Sequence, residues 1–203
     1  MKKYAVLHEP GDIVTLAGTR FVVLDVERRG SLPDSLFLLA LESVGASEFG
    51  SSNNYAESDL KKAVDKWLED MGKRGLDNAK LIPREIDLTT LDGSGCYGKL
   101  SVKAAPLTLD EAREYADIIP NAERWCWLAT GWSGPSKSDG DLALYVNSNG
   151  DWFNGYCSSS GGIRPALKIP SDLLLDSADK PDLSEVPTDT LLEEIRHRVV
   201  DKA

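Results

Sequence analysis

Cys96, Cys126 and Cys157 are the only thiols of the chain, and 30 and 31 residues separate them. No Cys-x-x-Cys pair exists to hold zinc. An odd number of scattered cysteines reads as free thiols in a reducing compartment. The two histidines, His8 and His197, stand near opposite ends. Solvated surface positions are their ordinary reading, which argues against His-based catalysis and His-rich metal sites. "GSGCYG" at 93–98 has the glycines of a phosphate loop. It lacks the Lys–Ser/Thr that grips phosphate and magnesium, so a flexible loop is expected. Asp139, Asp141, Asn147, Asn149 and Asp151 gather oxygen donors within a short stretch. Calcium needs six to eight such oxygens, several of them carboxylates. Turn propensity accounts for each of these residues without a metal.

Non-covalent contact is written more densely. Four of the five tryptophans fall at 125, 127, 132 and 152, and residues 147–160 are rich in Asn, Ser, Asp and Gly. Rigid aromatics supply contact area, while Asn and Ser supply adaptable hydrogen bonds. The candidate ligand-binding residues are Trp132, Tyr145, Asn147, Asn149, Asp151, Trp152, Asn154, Tyr156 and Ser158. Strand alternation would put Trp152, Asn154 and Tyr156 on one face, with Phe153, Gly155 and Cys157 on the other. A solvent-exposed aromatic row would be a contact surface. The competing reading makes the aromatics core and the polar residues loop filler.

These residues need elements to position them. "DLALYVNSNGDWFNGY" reads as a hairpin turning at Asn149–Gly150, in a type I′ turn with both central residues at positive φ. "RWCWLAT" alternates, so Trp125, Trp127 and Ala129 share a strand face opposite Cys126 and Leu128. "GIRPALKI" is a closing strand, with Pro165 at an edge or where pairing lapses. Upstream, "DIVTLAGTRFVVLDVE" predicts a hairpin around Ala17–Gly18–Thr19. "SLFLLALESV" predicts a central strand buried on both faces. Leu60, Val64, Trp67, Leu68 and Met71 form one helix face, with Ser58 as its cap and Gly72 or Gly75 at its end. Thr108 and Glu111 form a capping box for a second helix, whose stripe is Ala112, Tyr115, Ala116 and Ile119 before Pro120.

The net charge is −10 and the sequence pI is near 4.7. Such a chain repels phosphate backbones, so no nucleic acid is expected as partner. No apolar run approaches the ~18 residues of a membrane span. The opening "MKKYAVLHEPGDIV" carries an acidic residue and Pro–Gly where a signal peptide needs an apolar run. No membrane partner is expected, and the protein is expected to be cytoplasmic as synthesised. Residues 171–186 read as an acidic linker, and 187–203 as a short amphipathic helix with Leu191, Leu192, Ile195 and Val199 as its stripe. At that length it is marginal alone. It must dock on the domain, form a homo-oligomer, or meet a partner.

Three pieces, "NNYAESDLKKAVDKWLEDM", "WCWLATGW…LALYVNSNGDW" and "GGIRPALKI", occur in an order that resembles a domain family of unknown function. That family is common in gut Firmicutes and their prophages. The resemblance covers about residues 10–170, and its most specific part is the closing motif. The chain departs from it at Ala129, where the family often has Arg. The same ending is similar to the C-type-lectin-like fold of formylglycine-generating enzymes and of the variable proteins of diversity-generating retroelements.

The resemblance implies an α+β, C-type-lectin-like domain over 1–170, with two helices packed on small antiparallel sheets and much irregular loop. It implies a non-catalytic recognition module, prophage- or retroelement-associated and with a virion as one location, that binds a protein or glycan through the surface near 132–160. No cofactor is expected. Arg164 would be a buried cation paired to a carboxylate. A structural or assembly role through the C-terminal helix is the alternative. An enzyme of the formylglycine-generating type is a lesser one, in which Cys126 and Cys157 would hold Cu(I). The E-P-N and W-N-D pairings of calcium-dependent animal lectins do not occur.

Overall fold

The structure, a computed structural model, describes residues 2–4, 8–29, 32–135, 137 and 139–177. The predicted tail helix 187–203, with His197, and the linker beyond 177 lie outside the described residues.

The chain is α+β. It runs β1 (Lys2–Tyr4), β2 (Ile13–Leu16), β3 (Thr19–Arg29), β4 (Leu32–Ala40), β5 (Ala46–Glu48), α1 (Asp59–Lys73), β6 (Arg84–Asp87), β7 (Lys99–Val102) and β8 (Ala104–Ala105). Then follow α2 (Leu109–Glu114), β9 (Cys126–Gly131), β10 (Leu142–Val146), β11 (Trp152–Tyr156), β12 (Ser160–Gly162), β13 (Ala166–Pro170) and β14 (Leu174–Ser177). A seven-stranded sheet is ordered β1-β14-β2-β3-β4-β13-β8, larger than the small sheets expected. A five-stranded sheet is ordered β11-β10-β9-β12-β5, and β6 pairs β7 alone.

The expected hairpin 13–29 forms, with Ala17 and Gly18 both at positive φ in its turn. β4 lies between β3 and β13 and is buried on both faces, as its apolar run predicts. Phe21, Val23, Leu36 and Leu38 belong to one core with the α1 stripe Leu60, Val64, Trp67 and Met71. Val22, Leu24, Phe37 and Leu39 belong to a second core with Leu109 and Ala112 of α2. The seven-stranded sheet is therefore the middle layer, with one helix on each face.

Both predicted caps are present. Ser58 Oγ accepts the Lys61 N–H at 2.9 Å. Thr108 Oγ1 accepts from Glu111 N at 3.2 Å, and Glu111 Oε2 accepts from Thr108 N at 2.8 Å. α2 is shorter than its stripe implies: beyond Glu114 the chain continues in turns, with Ile118 N bonding back to Tyr115 O.

The stretch expected to open the linker contains β14, which pairs antiparallel with both β1 and β2. The folded unit thus reaches past residue 170 to Ser177. Its N-terminal strand is tied in by its C-terminal one.

Candidate functional site

The motif "GGIRPAL" joins the two large sheets. Gly161 and Gly162 belong to β12 of the five-stranded sheet, and Ala166 and Leu167 to β13 of the seven-stranded one. Residues 163–165 lie between the strands, so Pro165 sits where the ladder lapses; its carbonyl still accepts the Ala40 N–H at 2.8 Å. The glycines are there for space. A Cβ on Gly161 would meet the Trp125 ring and Trp127 Nε1, and one on Gly162 would meet Cys126 Sγ at 2.7 Å.

β9 is buried along its whole length, and its alternation is as expected. Trp127 and Ala129 enter the α1-side core, and Leu128 the α2-side core. On the α1 side a chain of rings runs outward. Phe49 meets Trp127 at 5.5 Å, Trp127 meets Trp125 at 4.9 Å, Trp125 meets Tyr145 at 4.8 Å, and Tyr145 stacks on Phe153 at 6.0 Å.

The hairpin β10–β11 forms in the register Val146↔Trp152, Tyr145↔Phe153, Leu144↔Asn154, Leu142↔Tyr156. Its turn is not the type I′ expected at Asn149–Gly150. Gly150 has φ +92°, while Asn149 is not at positive φ. Gly150 N bonds to Asn147 O, and Asn147 N to Asp151 O. This is a three-residue loop with a left-handed glycine, the next commonest hairpin connection. The Asn147 side chain makes the difference: its Oδ1 accepts from Asn149 N and Asp151 N, both at 3.0 Å. Such a local side-chain bond fixes a turn as a backbone bond would.

The structure divides the candidate residues. Trp152, Asn154 and Tyr156 share the face that looks toward α2, as alternation requires. Arg113 of α2 lies 5.6 Å over the Trp152 ring. Asn147, Asn149, Asp151 and Trp152 come together at the hairpin end. Tyr145 is on the opposite face, in the ring chain. Trp132 is half-buried against the α2-side core, away from the hairpin end. Ser158 is exposed in the turn after β11.

The hairpin end forms one wall of a pocket of about 300 Å³. Ala112, Ala116, Ile119 and Pro120 form the opposite wall, and Leu128, Cys126 and Arg164 line its depth. Sequence reasoning placed neither wall with the other. Arg164 is buried, but its partners are not the expected carboxylate. Nε donates to Ala40 O at 2.7 Å and Nη2 to Leu41 O at 3.0 Å. The buried cation that does pair with a carboxylate is Arg84, held by Glu111 and by the carbonyls of Ala105 and Pro106. Burial lowers the Arg164 guanidinium from its ordinary value.

Cys126 and Cys157 look to opposite faces of the five-stranded sheet. Cys126 lines the pocket, whereas Cys157 packs in the α1-side core with Trp127. Burial pushes the Cys126 thiol up to about 11 and the Cys157 thiol up to about 12. Among the described residues no group of three or more His, Cys, Asp or Glu is placed to hold a metal. No helix among them is long and apolar enough to cross a membrane. Comparison with family models, curated proteins and solved structures found no match.

Proposed function

We propose that the chain is a non-catalytic recognition module of C-type-lectin-like type, which binds a protein or glycan through the edge strand β11 and the hairpin end beside it. One observation carries this reading. Four large hydrophobic side chains stand exposed among the described residues, and three are on this five-residue strand: Trp152 at 41%, Phe153 at 49% and Tyr156 at 63%. β11 is also the edge of its sheet. Clustered exposed aromatics on a rigid edge favour contact, since a monomer gains nothing by leaving them wet. Asn147, Asn149 and Asn154 supply polar contacts around them.

The two helices packed on largely antiparallel sheets favour the C-type-lectin-like assignment. The placement of Cys126 and Cys157 on opposite faces disfavours a shared copper ion, and with it the formylglycine-generating alternative. Prophage or retroelement association follows from the motif resemblance. A template repeat of the 147–160 segment beside a reverse transcriptase gene would support diversified binding.

The test is an array of glycans and bacterial surface proteins, probed with the labelled full chain and with Trp152→Ala/Tyr156→Ala. Binding by the wild type that the double variant loses supports the reading. Binding that survives in the variant moves recognition off β11, and an array that stays dark for the wild type removes the reading.

A further inference from the structure

The pocket has a property that recognition by β11 does not use: its depth holds a cation without a counter-charge. Arg164 is only 7% exposed. Its Nε and Nη2 donate to two neutral carbonyls, and no hydrogen bond engages Nη1. Among the described residues no carboxylate forms an ion pair with it. Glu42 acts on it only from a distance, and Glu42 is exposed and accepts the Glu123 N–H at 3.2 Å. The Cys126 thiol beside it is held neutral by burial, although Arg164 and Arg124 pull its pKa back.

An unpaired buried guanidinium is costly, and its planar fork fits a carboxylate better than any other partner. Above Arg164 the pocket walls are apolar, from Leu107, Ile119, Leu128 and Val146, and Asn147 and Asn149 stand at the mouth. The volume of about 300 Å³ is at the lower end of the roughly 300–1,000 Å³ of small-molecule sites. One cation suits one negative charge, and apolar walls suit an apolar body. Asp151 at the rim disfavours more highly charged anions.

We propose that this pocket binds a small organic monocarboxylic acid, its carboxylate on the free Nη1 edge of Arg164 and its apolar body against Leu107, Ile119, Leu128 and Val146. The proposal does not rest on the β11 reading: it turns on Arg164 and the apolar walls, although Trp152, Asn147 and Asn149 border both sites.

The experiment uses the full chain, thermal unfolding and tryptophan fluorescence, with hexanoate and phenylacetate as probes and hexanamide and phenylacetamide as uncharged controls. Trp127 and Trp152 line the pocket and report on occupancy. The acids should raise Tm by about 2–4 °C at several times their Kd, and the amides should not. Ala116→Phe enlarges an exposed wall position outside both cores, so it should fold normally and abolish the shift. Equal shifts from acids and amides would overturn the role of Arg164. A shift that persists in Ala116→Phe, or no shift from either acid at millimolar concentration, would overturn the site.

Discussion

Gly161 lies directly beneath the ring of Trp125: a Cβ built there would stand 2.3 Å from Trp125 Cζ3 and 2.6 Å from Trp127 Nε1. Two tryptophans are thus seated on a position of β12 that has no side chain to offer them. Trp127 Nε1 donates to Ser47 O at 3.1 Å across that same gap, on the neighbouring strand β5. The first glycine of the closing motif and the tryptophans at 125 and 127 are one packing solution.

Gly161→Ala should therefore destabilise by about 3 kcal/mol, the upper part of the range for overpacking. Urea unfolding measures it. The same substitution in a Trp125→Ala background should cost less, because one of the two clashing rings is gone. An unchanged cost would mean that ring contact is not the cause.

Glu111 does two jobs, capping α2 through Thr108 N and neutralising the buried Arg84. Glu111→Ala should cost about 3–5 kcal/mol, because it leaves a buried charge unpaired. Thr108→Ala removes only a cap and should cost about 1 kcal/mol. Equal losses in chemical denaturation would show that Arg84 gains nothing from its partner.

Asp92 is held well below the usual carboxylate range, first by Lys137 Nζ at 2.6 Å and then by Thr90 Oγ1 at 2.5 Å. Its folded pKa is below its unfolded value of about 3.9, so its contribution is present above about pH 4 and is lost as pH falls. Asp92 is solvated, and the increment is accordingly small and salt-sensitive. Tm measured from pH 7 to pH 2 should show wild type and Asp92→Asn separated at neutral pH and converging in acid.

The buried thiols act at the other end of the scale. Burial, the main cause, holds Cys126 near 11 and Cys157 near 12, above the roughly 8.5 of an unfolded thiol. The folded state is favoured below that value, and this advantage is lost as pH rises through the folded pKa values. Cys96 alone is exposed. A thiol reagent at pH 8 should titrate one cysteine quickly in the native protein and three in denaturant. Fast reaction of two or three would show that β9 or the β11 end opens readily.

What the sequence made legible was local. α1 could be read because Leu60, Val64, Trp67 and Met71 repeat at helical spacing behind the Ser58 cap. β4 could be read because its apolar run has no alternation, which only a strand covered on both sides requires. The β10–β11 hairpin could be read, but not its turn type. The dipeptide Asn149–Gly150 favours one loop, and the side chain of Asn147 imposes another. The pocket was illegible for a different reason. Its walls come from residues 39, 107–122, 126–128, 146–152 and 164, and no local pattern states that these meet. Arg164 was visible as an anomalous charge in an apolar strand. Its partners, the carbonyls at 40 and 41, are separated from it by most of the chain.

β14 shows where composition misleads, and it decides how the tail should be tested. Leu174–Ser177 sits in acidic, Ser-containing sequence, yet it fills the place between β1 and β2. Cutting the chain after 172 would strip this strand and leave β1 without a neighbour in its sheet. A 1–172 chain should unfold at a lower temperature than the full protein, with β1 the first strand to lose hydrogen-exchange protection. A 1–177 chain keeps every described pairing and should unfold at a higher temperature than 1–172. Mass measurement then assigns the role of 178–203 cleanly. An oligomer present in the full chain and absent from 1–177 would place assembly in the tail. A change of mass on going from 1–177 to 1–172, with none before it, would instead reflect damage to the sheet.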